Sequence, residues 1–352
     1  NTHFELKYIQ MKVRKKEKKL SLFKKIFIKI CRFFDYEIID QSDFYLPVSN
    51  RNINDDLSTI GESSITLPMG KVEITRKVKS LTIILRTCSS VNMLTQSKKR
   101  LFNNEKTEYT LRSLKSIINS INFAKDIFSK INVELVIIDH NSEKKIIDKI
   151  QSIISNQFFK SRFISLNVDD FRKDINPINQ ENKEVTSNQI SNMSNIHKSL
   201  LLAKESADLI YFVEDDYIHS VESIKEMIFT YEKLSSLLNH ELILCPTDYP
   251  YLYSEIRNSN IFLGNKRHWR TIKETLCTFL TSKDMVIKHW ELLISMCKLE
   301  HYPFEKPLHK IYEKEYCLSP IPSLAIHCTN INSVYGLSPN TDWEKLWEDS
   351  KI

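Results

Sequence analysis

Glycine is nearly missing from this chain. It has four in 352 residues: Gly61, Gly70, Gly264 and Gly336. Loops that cradle phosphates need clustered glycines so that backbone amides can approach the anion. Neither G-x-G-x-x-G nor G-x-x-x-x-G-K-[ST] can be written anywhere, which argues against a P-loop NTPase and a glycine-rich dinucleotide fold. If a nucleotide binds, side chains and a metal must hold its phosphates. Paired cysteines are missing too. The seven cysteines (31, 88, 245, 277, 297, 317 and 328) are odd in number and form no C-x-x-C. Neither a disulfide framework nor a structural zinc site is expected, and a reducing cytoplasm fits best. No apolar run approaches the roughly 20 residues of a membrane-spanning helix, and no secretory signal pattern is evident.

The N-terminal stretch lacks acid. Lys12 to Arg32 holds ten Lys or Arg against Glu17 alone, a net +9, which leaves −3 for the rest of a chain whose total is +6. Leu20, Phe23, Phe27, Ile30 and Phe34 recur at helical spacing, with Lys24, Lys25, Lys29 and Arg32 among them. A basic amphipathic helix over residues 1–40 suits an anionic membrane surface. The alternative is a helix docked on the core with its lysines in water. Nucleic acid is not the expected partner, because the basic charge sits at one end without a recognition motif. The chain opens on Asn1 and Met11 precedes the basic stretch, so residues 1–10 are read as upstream translation or a fragment edge.

The remainder, 41% apolar overall, suits one domain of about 250 residues plus extras. Residues 41–80 are polar and Asn/Ser-rich and read as a linker or wrapping arm, with a short hairpin turning at Gly70. From Leu81, apolar β-rich runs alternate with helical spacings. LTIILRT, NVELVIID, RFISLNV and DLIYFVE read as strands, and a polar loop spans about 169–192. Ile196, Leu200 and Ala203 mark one helix face, and Ser220 is the expected N-cap of the helix after the fourth strand. This alternation predicts an α/β fold, a mixed and mainly parallel sheet flanked by helices. Ligands of such sheets sit beyond the carboxyl ends of the strands. Arg86-Thr87, Asp139 and Glu214-Asp215-Asp216 all fall there. Three adjacent carboxylates repel one another unless a positive charge intervenes, and a hard divalent cation is one answer. The bland answer is a solvated strand-to-helix corner.

In this order the motifs over residues 81–335 resemble a GT-A glycosyltransferase, similar to the family 2 type. The resemblance implies that Arg86, Thr87, Asp139 and Asp215 face the nucleotide. It implies that Glu214, Asp216 and His327, the last at the end of the strand in SPIPSLAIHCTN, hold Mn or Mg. It also implies that Glu305 is the acceptor-side base. The acidic motif departs from the family pattern by starting with Glu, and the turn after the second strand, HNSEK, has no glycine. On chemistry alone, Asp248 and Glu274 are further base candidates, and Arg267, Arg270 or Lys273 could meet a diphosphate. Tyr249, Tyr251, Tyr253, His268 and Trp269 are either sugar-stacking surfaces or the core of an irregular subdomain. His301 and His309 are weaker ligand candidates than His327. Residues 336–352 read as a tail helix. The expected activity is transfer of a sugar from a nucleotide-diphosphate sugar to a cell-surface glycan or glycolipid, with inversion, at the inner membrane face. The alternatives are a Mg-dependent nucleotidyltransferase or phosphotransferase, and a non-catalytic membrane-docked scaffold.

Overall fold

The computed structural model describes residues 21–36, 38, 58–66, 70–90, 101–254, 258–329 and 335–352. The chain divides into two compact units, Asn1–Ser49 with Leu67–Gly70, and Asn50–Thr66 with Lys71–Ile352. In the first, helix α1 (Leu22–Phe33) is capped by Ser21, whose hydroxyl accepts from the Lys24 amide, and none of its residues is buried. Leu20 and the basic residues before it lie outside the described residues. No helix among the described residues is long and apolar enough to cross a membrane.

The second unit begins with β1 (Ser58–Thr59), β2 (Ser63–Thr66) and all but the first residue of β3 (Gly70–Glu73), which form a small sheet. β2 and β3 are neighbours, as the expected hairpin requires, but Gly70 opens β3 and is not the turn residue expected, and 67–69 lie outside the described residues. This segment wraps the core and is not a free linker. Ile60 and Val78 join the main core cluster. The Glu232 carboxylate accepts from the amides of Gly61 at 2.8 Å and Val78 at 2.7 Å. Arg76 bridges Asp208 (2.6 Å) and Glu241 (2.5 Å).

Next come β4 (Ser80–Thr87), α2 (Lys106–Phe123), β5 (Asn132–Asp139), α3 (Lys144–Ser155), β6 (Lys160–Ser165), α4 (Asp169–Arg172), α5 (Ser187–Glu205) and β7 (Leu209–Glu214). β7 passes through a tight turn into β8 (Tyr217–His219), and then into α6 (Ser223–Leu238), β9 (Leu242–Leu244), β10 (Ile261–Leu263), β11 (His268–Thr271) and β12 (Phe279–Ser282). The chain finishes with α7 (Lys283–Lys288), α8 (Trp290–Lys298), α9 (Lys306–Tyr312), β13 (Tyr316–Ile321), β14 (Ala325–His327) and α10 (Trp343–Asp349).

Nine strands form one sheet in the order β10-β11-β13-β9-β12-β7-β4-β5-β6. β7, β4, β5 and β6 are parallel, β13 and β9 are parallel, and β12 runs antiparallel between β7 and β9. This is the mixed, mainly parallel sheet flanked by helices expected from the sequence. Every residue of β4 is buried because the strand is central and both faces are covered. Its side chains alternate between two cores, as a two-residue period requires. Leu81, Ile83 and Leu85 pack with α2 and α6, while Ile84 packs with α5 and α8.

Three local readings change. Ser220 does not cap α6, because Ser223 N donates to the Ser220 carbonyl in a turn and the helix starts after Glu222, which makes no side-chain cap. The polar loop before α5 is interrupted by α4 and ends at Thr186, which caps α5 by accepting from Gln189 N. The tail helix α10 belongs to the domain. Trp347 is buried against Phe102 and Tyr109, and Arg112 donates to its carbonyl.

Candidate active site

The acidic motif stands where β7 ends at the carboxyl edge of the sheet. Its three carboxylates have three different environments, and each meets a protein cation supplied by a different element.

Glu214 faces Arg86 of the adjacent strand, with 3.1 Å between Oε1 and Nη2. Arg86 is 6% exposed, and its Nη1 donates to Asn192 Oδ1 of α5 at 3.2 Å. Burial pushes the Glu214 carboxyl up and the nearby Asp216 and Asp215 add to this, while Arg86 and His327 pull it down. Arg86, expected to face the nucleotide, is a buried partner of Glu214.

Asp215 turns inward. It accepts from the Lys106 ammonium, from Thr110 Oγ1 at 2.8 Å and from the Cys88 amide at 3.2 Å. The sequence reading missed Lys106 and Thr110. They lie one turn apart at the start of α2, more than 100 residues from Asp215, so no local pattern could reveal them.

Asp216 meets His327 because β8 and β14 pair antiparallel, with Tyr217 opposite His327. Asp216 Oδ2 lies 3.2 Å from His327 Nε2 and accepts from Thr329 Oγ1 at 2.7 Å. His327 Nδ1 is 3.1 Å from the Tyr335 carbonyl. A carbonyl only accepts, so Nδ1 carries the hydrogen and Nε2 points at Asp216. Tyr217 stacks on the imidazole at 4.8 Å. For both groups burial opposes ionisation, but each is outweighed by its partner: Asp216 is held well below the usual carboxylate range and the His327 imidazole is raised.

The donor chemistry of this pair fits a divalent cation that displaces the proton on His327 Nε2, since a histidine ligates through its neutral form. A cation that carries substrate phosphates needs only one or two protein ligands, and a ligating histidine donates its other N–H to a carbonyl or carboxylate, as His327 does. Glu214 does not complete the expected ligand trio, because it turns to Arg86. Among the described residues no three His, Cys, Asp or Glu side chains converge as a ligand set.

Several other expectations change on contact with the structure. Asp139 is 1% exposed and accepts from Thr87 Oγ1 (2.7 Å), Ser142 Oγ (2.6 Å) and Ser142 N (3.2 Å). Asp139 and Thr87 therefore brace the loop after β5 instead of facing a nucleotide directly. His140, beside them, bonds Ser191 Oγ through Nδ1 at 2.6 Å. Asp248 and Arg270 satisfy each other. Arg270 Nη2 donates to Asp248, Tyr253 Oη donates to the same carboxylate at 2.5 Å, and the guanidinium lies 4.3 Å over the Tyr253 ring. Arg270 and Tyr253 occupy the two Asp248 oxygens, while burial raises that carboxyl. Arg267 donates to the Pro322 and Ser323 carbonyls, whereas Lys273 is exposed.

Of the aromatic residues, Tyr249, Tyr251 and Trp269 are core, and Tyr253 is 52% exposed. His268 is exposed. Trp269 is fixed by Gly264, where an added Cβ would come within 2.4 Å of the indole. His309 sits against the Thr275 carbonyl at 3.2 Å and His301 against Gln180 at 3.0 Å, away from the acidic motif's hydrogen bonds.

Glu305 lies at the start of α9 and makes no side-chain cap. Its charge reaches the Cys277 thiol, as do those of Glu214 and Arg86; burial chiefly drives that thiol upward. Glu274 accepts from Tyr335 Oη at 3.2 Å, and the Tyr335 carbonyl holds His327, so one residue links this carboxylate to the Asp216–His327 pair.

No family model and no curated protein matches this chain. Among solved structures it is similar to S. aureus TarS 1-349, at 12% identity over 68% of this chain and 57% of that one, with TM-score 0.37. It is also similar to mouse xyloside xylosyltransferase 1, at 10% identity over 66% and 76% of the two chains, with TM-score 0.34. A third is 4-diphosphocytidyl-2C-methyl-D-erythritol synthase of Anaerococcus prevotii, at 10% identity over 77% and 95%, with TM-score 0.35. The chain spans 33% of a longer TarS structure. Likeness at this level carries no functional argument.

Proposed function

We propose that this chain is a divalent-cation-dependent glycosyltransferase that moves a sugar from a nucleotide-diphosphate sugar to a glycan or glycolipid acceptor. The carrying observation is the Asp216–His327 pair at the carboxyl edge of the sheet, with His327 oriented by the Tyr335 carbonyl. Asp216 and His327 would hold Mn or Mg, which neutralises charge developing on a diphosphate leaving group. Asp215, pinned by three donors, fixes the turn that aims Asp216. The acceptor hydroxyl needs a carboxylate within hydrogen-bond reach. Glu305 is the proposed base and inversion the proposed outcome. Glu274 competes for that role through its tie to Tyr335. Thr87 and Asp139 act by bracing the loop on which His140 and Ser142 stand.

Helix α1 is proposed to rest on an anionic membrane at its cytoplasmic face. Leu22, Phe23, Ile26, Phe27, Ile30 and Phe33 are all at least half exposed, with Lys24, Lys25, Lys29 and Arg32 beside them. Apolar insertion with basic flanks is the chemistry of an interfacial helix.

A nucleotidyltransferase would use the same acids with Mg but would not need an acceptor-side base. Turnover of a panel of nucleotide sugars with Mn²⁺, against release of pyrophosphate from nucleoside triphosphates, separates the two. Hydrolysis of a nucleotide sugar without added acceptor supports glycosyl transfer, and pyrophosphate release from a triphosphate overturns it. Absence of both, together with no nucleoside-diphosphate-dependent rise in melting temperature, leaves the scaffold reading.

A further inference from the structure

Each of the three acids is matched by a protein cation: Glu214 by Arg86, Asp215 by Lys106 and Asp216 by His327. These cations are not equally placed. The side chains of Arg86 and His327 are 7% and 5% exposed, whereas that of Lys106 is 16% exposed. Arg86 is also tied to Asn192, and His327 to the Tyr335 carbonyl. Asp215 does not depend on the ammonium for its position, because Thr110 Oγ1 and the Cys88 amide hold its other oxygen. The Lys106 charge also acts on Asp216, where it helps to hold that carboxyl down. An ammonium has three donors on a flexible stem and binds phosphate oxygens as a point charge.

We propose that Lys106 gives this site a way to hold a nucleoside diphosphate without a metal, by sharing its ammonium between Asp215 and the phosphate oxygens. This rests on the glycosyltransferase reading for the identity of the ligand. It goes beyond it in making donor binding separable from cation binding: Lys106 anchors the diphosphate, and the Asp216–His327 pair is reserved for the cation.

The test uses the full chain, with UDP and GDP as probes, by calorimetric titration and melting temperature in EDTA and in Mn²⁺. The wild type is expected to bind at least one of them in EDTA. Lys106→Met should weaken that binding at least about tenfold, the scale of one charge-assisted hydrogen bond. Lys106→Gln, which keeps a donor for Asp215 but no charge, should behave like Lys106→Met and covers the case in which the methionine variant fails to fold. Lys106→Arg should retain most of the binding. Mn²⁺ should restore binding to the neutral variants through Asp216 and His327. If the wild type binds in Mn²⁺ but not in EDTA, or the neutral variants bind in EDTA as the wild type does, the Lys106 proposal is overturned and the glycosyltransferase reading stands. If the wild type binds neither diphosphate in either condition, both fall.

Discussion

Asp216→Ala tests the metal pair most directly. The substitution removes one proposed ligand and two hydrogen bonds, from Thr329 Oγ1 at 2.7 Å and His327 Nε2 at 3.2 Å. Removing one member of a buried ion pair costs about 3–5 kcal/mol when the other charge stays trapped. Here the imidazole escapes by losing its proton, since its raised affinity for that proton comes chiefly from Asp216 working against burial. The remaining loss is the single Thr329 hydrogen bond to a charged group, about 1.5–3 kcal/mol. At roughly 2–4 °C per kcal/mol for domains of this scale, the melting temperature should fall by about 3–12 °C, with the circular dichroism spectrum unchanged. Mn²⁺-dependent binding of nucleoside diphosphate should disappear. Asp216→Asn keeps the shape and the Thr329 contact, so it should lose the Mn²⁺ effect with a smaller drop in melting temperature. Undiminished Mn²⁺-dependent turnover in either variant would refute the assignment, and a collapsed fold in both would show that the pair is structural.

Three further outcomes are expected. Glu305→Gln should lower turnover by at least about 10², the lower end of general-base catalysis, with donor affinity nearly unchanged; normal turnover there, with a loss in Glu274→Gln, moves the base to Glu274. A chain beginning near Asp40 should lose binding to anionic vesicles, and binding by the full chain should weaken with salt; equal binding by both refutes the membrane role of α1. Burial raises Glu241, but hydrogen bonds from Arg76, Ser282 and Tyr231 outweigh it and hold this carboxyl below its ordinary value. Its stabilising contribution is therefore complete above the unfolded carboxylate value of about 4.3 and is lost as pH falls through the lower folded value. Arg76→Met should flatten that acid limb of stability, and an unchanged limb in acid titration would show that Glu241 does not contribute to it.

The parts of this architecture that the sequence made legible are those carried by short-range periodicity. The apolar runs at 83–85 and 209–213 mark central strands because both faces of such strands are covered. Ile196, Leu200 and Ala203 fall on one face of α5 because 3.6-residue spacing is a local property. Asp216 and His327 were legible for the same reason, as residues that end or follow apolar strands. The partners of polar groups were not. Asp248 with Arg270, Asp215 with Lys106, and Glu232 with the 58–79 arm are contacts that only the tertiary fold creates, and a lone charged residue carries no periodicity. Three-residue strands such as β8 and β14 are too short to show alternation.

The pairing of β8 with β14 has a consequence for how the protein tolerates change. Their register sets Tyr217 opposite His327, and strand side chains alternate faces, so sliding one strand by a single residue turns every side chain on it to the other side. The turn between β13 and β14, residues 322–324, is where the chain controls that register. Leu324 N and Ala325 N both donate to the Pro246 carbonyl, and Ser323 Oγ accepts from Asp248 N. A one-residue insertion or deletion in this turn would take His327 away from Asp216, and it would also shift Leu324 and Ala325, which are buried in the larger core. Length variation in loops elsewhere on the surface is cheap for a fold of this kind. In this turn it would strike a core segment and the Asp216–His327 contact together, so the site tolerates no change of length here.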